Sequence, residues 1–268
     1  MLHSIPSIVR PDLATVVNIT GGGGGGVTPF FEWDPNDYST TQQLIDANTN
    51  GSSLGDVQLV TGQTLHDGST GNVMRSTYTG DGTTDDCNYD LSIGGGSGLT
   101  EEFWIEFYLR FNAAWSINSD DKTFFFNPQT GSRWEIHYGL FGTRVYGGPS
   151  ANPNDFAVVS DGGVGEPLND LDNDLWDGNW HRHRVHGRYG TGTSGAFWWW
   201  IDDEVLLSDS VEALFGWGDG EGINTGDGNW LNTVRLGANA DPTGGANAYR
   251  DWGELKIYTS DPGWASTN

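Results

Sequence analysis

The chain has one cysteine, Cys87. No intrachain disulfide and no thiolate cluster can form from it, so neither a disulfide framework nor a cysteine-bound metal staples this fold. Basic residues are scarce too: 12 Lys and Arg stand against 36 Asp and Glu, a formal net charge of −24. Such a surface repels a phosphate backbone, so nucleic acid is not an expected partner, and an anionic membrane is excluded for the same reason. No run approaches the ~18 consecutive apolar residues of a membrane-spanning helix. The stretch MLHSIPSIVRPDLATVVNIT is interrupted by Pro6, Arg10, Pro11 and Asp12 and has no apolar segment of the length an export signal needs. The expectation is a protein used without that export route, which Met1 favours, with a processed extracellular protein as the alternative.

Helical periodicity is also missing. No segment keeps a 3.6-residue apolar period beyond about two turns, although short helical turns are expected near residues 41–46 and 210–215. What the chain does have is glycine, 41 residues, and aromatics, 13% of the chain with 13 Trp. Short strands joined by Gly- and Asn-rich turns produce this composition, so the fold class is all-β. Hydrophobic residues make up 35% of the chain, enough for one sandwich core.

Two parts are expected. Residues 1–26 form an extended arm, β-prone and proline-broken, ending in six consecutive glycines that act as a flexible spacer. Residues 27–268 form the β-sandwich. Such an arm docks on a neighbouring subunit or a capsid protein by adding a strand to an exposed sheet edge. Packing along its own domain is the alternative.

The clearest strand is EFWIEFYLRF at Glu102–Phe111. Phe103, Ile105, Phe107, Leu109 and Phe111 share one face, the core face by period-2 alternation. Trp104, Tyr108 and Arg110 share the other with Glu102 and Glu106, and a plain solvent face is rarely so aromatic. SRWEIHYGL at residues 132–140 puts Trp134 and Ile136 on one face, and Arg133, Glu135 and His137 on the other. WHRHRVHGRY at residues 180–189 turns His181, His183 and Val185 to the core and Arg182, Arg184, His186 and Arg188 outward. FWWWI at residues 197–201 is aromatic on both faces and reads as a central strand covered by two layers. The Gly-rich stretches at residues 94–98, 161–165, 217–230 and 241–247 read as turns and loops.

Four segments, in order, carry a resemblance: Asp177-Gly178-Asn179-Trp180-His181-Arg182; Trp200-Ile201-Asp202-Asp203-Glu204-Val205; Val234-Arg235-Leu236-Gly237; and YRDWGELKIY at residues 249–258. Together they resemble the concanavalin A-like lectin and glucanase superfamily, including its laminin-G-like modules and jelly-roll polysaccharide lyases. In the second segment Asp203 stands where the family usually has Gly. The resemblance covers about residues 100–260 and implies an antiparallel jelly-roll sandwich. This fold hosts lectins, hydrolases, lyases and structural modules, so function must be argued from the site.

The glucanase branch carries an E-x-D-x-x-E strand that is missing here, since position 104, between Glu102 and Glu106, is Trp. A jelly-roll lyase needs an Arg or amide to neutralise a uronate and a His or Tyr to move its proton. Arg133 and His137 suit that chemistry, but Glu135 would repel a uronate where the alginate-lyase motif has Gln. The outward basic face is read in two ways: cross-strand pairing with Glu102, Glu106 or Glu135, or a site for anionic sugars. Trp104, Tyr108, Trp198 and Trp200 are candidates to stack on pyranose rings. The candidate carbohydrate-binding set is therefore Trp104, Tyr108, Arg110, Arg133, His137, Arg184, Trp198 and Trp200. Structural calcium is an open alternative, at Asp170, Asp172 and Asp174 or at Asp251, but an EF-hand loop is excluded because His181 stands where the bidentate Glu would be.

The functional expectation is a non-enzymatic structural and binding module on a virion surface, of the capsid-decoration or head-fibre type. It is anchored by residues 1–26 and presents a lectin-like domain to glycans. The alternative is a polysaccharide lyase or glycoside hydrolase acting on an acidic glycan.

Overall fold

Phe103, Ile105, Phe107, Leu109 and Phe111 are all buried, and the residues between them are partly exposed. The strand over Glu102–Phe111 thus has the two faces that its alternation assigns. A computed structural model describes residues 27–48, 56–78, 85–93, 101–112, 121–128, 133–138, 144–148, 155–158, 175–190, 192–210, 231–237, 239–240 and 248–264. The arm, the Asp170–Asp174 acids, most of the Gly-rich loops and residues 211–215 lie outside them.

In chain order the first strands are β1 (Phe31–Trp33), β2 (Asp56–Thr64), β3 (Thr70–Tyr78), β4 (Asp85–Asp86), β5 (Tyr89–Ser92) and β6 (Glu102–Phe111). β7 (Asp121–Pro128), β8 (Arg133–Tyr138), β9 (Arg144–Gly148), β10 (Asp155–Val158) and β11 (His181–Arg188) follow. β12 (Ala196–Ile201), β13 (Glu204–Ser210), β14 (Leu231–Leu236), β15 (Asn239–Ala240) and β16 (Ala248–Tyr258) complete the strands of the described residues. Among the described residues one short α-helix, α1 (Thr41–Asp46), is capped by Thr40, whose hydroxyl accepts from the Gln43 amide at 3.2 Å. It is the first of the two helical turns expected from the sequence.

Two antiparallel sheets make a sandwich. The larger has eight strands in the order β13-β12-β11-β6-β16-β3-β2, with β1 added to β16. The smaller has six, in the order β10-β9-β8-β7-β14-β5. Aromatic rings join the sheets across the core: Phe107 stacks on Phe124 at 4.5 Å, and Trp134 meets Phe197 edge-on at 5.2 Å. His183 belongs to this core, 0% exposed and stacked on Phe107. The strand 196–201 is not central as its aromatic pattern suggests. It lies next to the edge strand β13, and its outer aromatics Trp198 and Trp200 are partly exposed, flanked by His186 and Trp264.

Close packing fixes two details of the larger sheet. Gly187 faces Phe103 across β11 and β6, and a Cβ there would fall 2.3 Å from the Phe103 ring, so the ring occupies the space glycine leaves. On the outer face Asp251 is fully buried between two arginines: Arg75 Nε lies 2.7 Å from Oδ1 and Arg110 Nη2 lies 2.6 Å from Oδ2. These charge-assisted bonds tie β3, β16 and β6 together.

Candidate functional site

Three turns converge on the outer face of the larger sheet. The first is the β2–β3 hairpin tip, Leu65-His66-Asp67-Gly68-Ser69. Its Leu65 amide bonds to the Ser69 carbonyl at 2.9 Å, and Gly68 takes φ +80°. The tip lays His66 flat on Tyr108 of β6, ring centroids 3.5 Å apart.

The second is the turn that starts β11. Asp177 accepts from the Asn179 amide at 2.6 Å while Gly178 takes φ +87°, which delivers Trp180 to the sheet. The Trp180 indole then donates to the Thr64 carbonyl at 2.8 Å, and the Arg110 guanidinium lies 4.7 Å from its ring centre.

The third is the β12–β13 hairpin, closed by Asp202 and Asp203 at φ +49° and +74°. Both residues are left-handed, as a two-residue turn between twisted strands requires. Asp202 accepts from the Arg182 amide at 2.8 Å. Asp203 receives Arg182 Nη2 at 2.5 Å and Arg184 Nη1 at 2.7 Å, and Arg184 also reaches Glu106 at 3.2 Å.

Together His66, Tyr108, Trp180, Arg182, Asp202 and Asp203 line an open cleft of 320 Å³. A smaller hollow of 190 Å³ adjoins it through His66, lined by Asp34, Asn36, Asn72 and Glu254 among others. Burial raises the Tyr108 phenol above its ordinary pKa, Glu106 adds to this, and Arg182 partly offsets it, so Tyr108 presents a neutral hydroxyl.

His181, just beneath the cleft, has both ring nitrogens against carboxylates: Nδ1 is 2.6 Å from Asp202 and Nε2 is 3.2 Å from Asp177. Burial alone would lower its pKa, but Asp202 and then Asp177 outweigh it and the net shift is upward. A neutral imidazole has one N–H, so satisfying both contacts favours the imidazolium. That cation ties the β11 turn to the β12–β13 hairpin, both of which wall the cleft.

These sheets and connections define the fold. It is an antiparallel jelly-roll sandwich. Solved structures agree: the chain is similar to "Cellulose induced protein, Cip1", with a TM-score of 0.52 at 13% identity, over 86% of this chain and 97% of that one. It is similar also to an endo-β-1,4-glucuronan lyase from the fungus Trichoderma reesei, with a TM-score of 0.50 at 15% identity, over 87% and 96%. No protein-family model matches the sequence, and no curated protein matches it. At these identities the likeness shows the jelly roll alone.

The jelly roll divides the sequence candidates. Tyr108 is in the cleft, and Arg184 is ion-paired beside it. Arg110 lies behind Trp180, committed to Asp251. Trp104 and Trp198 clamp His186 in a three-ring stack, centroids 4.4 and 4.3 Å apart, with His186 held to Glu102 at 2.7 Å. Trp200 meets Trp264 of the C-terminal segment edge-on at 6.4 Å. Arg133 and His137 are elsewhere, on β8 of the other sheet, where His137 is buried against Glu135 at 2.6 Å. The sequence grouping of these two with the β6 aromatics therefore does not hold in space. Nor does Glu135 serve the basic face, because it sits on the wrong sheet, and Asp203 takes that part.

Five cleft residues lie outside the candidate set: His66, Trp180, Arg182, Asp202 and Asp203. The Asp-Gly turn after His66 marks a hairpin tip, but only the folded sheet shows that this tip reaches Tyr108. For Asp202 and Asp203 the signal in the sequence is their charge, two acids that follow the arginines of β11 by one strand.

Proposed function

We propose that the protein is a glycan-binding jelly roll and that the cleft of His66, Tyr108, Trp180, Arg182, Asp202 and Asp203 is its sugar site. The supporting observation is the convergence of two aromatic side chains with donors and acceptors in one open hollow, the usual make-up of a small polar-ligand site. The side chains are held in place: Trp180 by its bond to Thr64, Arg182 by Asp203, and Tyr108 by the ring of His66. A glycan microarray tests the proposal. Wild-type protein is expected to retain a set of oligosaccharides that Tyr108→Ala and Trp180→Ala both lose.

One observation favours a second reading, a polysaccharide lyase of the kind the glucuronan lyase represents. A phenol and an imidazole touch beside an arginine in the cleft, which are the groups a β-elimination uses. Against it, Arg182 and Arg184 are both engaged by Asp203, and neither guanidinium is turned toward an incoming carboxylate. Ultraviolet absorbance of unsaturated products, followed with glucuronan and alginate, separates the two readings.

For residues 1–26 we propose the anchoring role read from the sequence: a strand-adding arm that fastens the domain to a neighbouring subunit or capsid protein, with the cleft facing outward. The mass in solution of the full chain, beside a chain starting at residue 27, tests this. Assembly of the first and a folded monomer of the second are expected.

A further inference from the structure

Asp203 occupies a backbone position that suits glycine. At φ +74° a side chain is strained, and glycine adopts that conformation freely. Asp202, the other turn residue, is also left-handed, so the turn needs no carboxylate at position 203 to close. The side chain nevertheless has a defined place. Each of its oxygens takes one guanidinium, Oδ2 that of Arg182 and Oδ1 that of Arg184, on successive outward positions of β11. Two arginines presented this way would form a fork for an external carboxylate, and Asp203 supplies that carboxylate from within the chain.

We propose that Asp203 sets the ligand class of the cleft, closing it to acidic glycans and leaving it for uncharged ones. This rests on the cleft being the sugar site. A uronate entering here meets guanidinium groups that Asp203 and Glu106 together already neutralise. It also meets the half-exposed carboxylates of Asp202 and Asp203, on a chain of net charge −24. Like charges at that range repel, so the arginines that would have drawn the uronate in no longer do. A neutral sugar has no such barrier. Its hydroxyls both donate and accept, so they can bond to the outer edges of the Arg182–Asp203 pair, to the Tyr108 hydroxyl and to Asp202 without a change of charge.

The test is isothermal titration of the full chain with cellohexaose, laminarihexaose and xylohexaose as uncharged probes, and with glucuronate and mannuronate hexamers as acidic ones. The variants are Asp203→Gly, Asp203→Asn and Tyr108→Ala. Asp203→Asn keeps the left-handed turn and removes the charge, so the result does not depend on one variant folding, and thermal unfolding checks both. Wild-type protein is expected to bind at least one uncharged hexamer at least tenfold more tightly than either acidic one, with affinity nearly independent of salt. Asp203→Gly and Asp203→Asn are expected to gain at least tenfold for an acidic hexamer, and added salt is expected to abolish that gain. Wild-type binding of the acidic hexamers as tight as the uncharged ones, lost in Tyr108→Ala, overturns the inference and leaves the sugar site standing. Failure of the folded Asp203 variants to gain acidic affinity also overturns it. Binding that Tyr108→Ala leaves intact, or no binding of any hexamer, overturns both.

Discussion

Asp203 Oδ1 lies 2.7 Å from Arg184 Nη1, and the backbone that brings it there is left-handed, at φ +74°. Two opposing effects meet at this residue. A left-handed conformation costs a side chain about 1–2 kcal/mol relative to glycine, and each exposed ion pair returns about 0–1 kcal/mol. Asp203→Gly is therefore expected to move the unfolding free energy by less than about 1 kcal/mol, read by urea denaturation. A loss of several kcal/mol would mean that the ion pairs, rather than the turn, hold this hairpin.

Asp251 is a different case, because its carboxylate is fully buried. Removing it leaves Arg75 and Arg110 facing each other with no counter-charge, and such a change typically costs about 3–5 kcal/mol. Asp251→Ala is expected to fall in that range by urea denaturation. Adding Arg75→Met and Arg110→Met should recover much of the loss, which would identify stranded charge as the cause.

Gly187 tests the packing between the two central strands. A Cβ there would fall 2.3 Å from the Phe103 ring, so Gly187→Ala should destabilise by about 1–3 kcal/mol. Phe103→Leu in the same chain removes the clashing ring and should make the alanine nearly neutral. An equal effect of Gly187→Ala in both backgrounds would contradict the geometry.

His183 gives the protein an acid weakness. Burial lowers its pKa to about 3, with neighbouring His181 adding to the effect. The unfolded chain therefore takes up this proton first, at its ordinary value near 6.5. The contribution of neutral His183 is complete above about pH 6.5 and is lost as pH falls toward 3, by about 1.4 kcal/mol per pH unit. His181 has the opposite sign: its pKa is raised, so its contribution is complete below its unfolded value and is lost as pH rises through the folded one. In urea unfolding, the stability lost between about pH 7.5 and pH 5 should shrink by about 2 kcal/mol in His183→Phe. An unchanged pH profile would mean that His183 does not control the acid limb.

The sequence was most legible where period-2 alternation meets burial on one side. β6 and β11 could be read residue by residue, and with them the core face carrying Phe107 and His183. The jelly roll was legible only through the resemblance that four segments carry, and two of them hold turns in the structure, at Gly178 and at Asp202-Asp203. Alternation cannot say which sheet a strand joins. Arg133 and His137 have the same outward pattern as Tyr108, yet β8 belongs to the other sheet. It also cannot say what covers an outward ring: Trp104 and Trp198 look like open platforms in the sequence, but each lies against His186. His66 stayed hidden because its value depends on a contact 42 residues away in the chain, with Tyr108.

The central claim, that sugar enters at Trp180 and Tyr108, is tested most directly by the tryptophan indole N–H resonances during titration with a glycan retained on the array. The Trp180 signal is assigned by its disappearance in Trp180→Phe. The account predicts that this resonance moves in step with binding, while those of Trp104 and Trp198 stay still. A titration that shifts Trp104 or Trp198 and leaves Trp180 unmoved would contradict it.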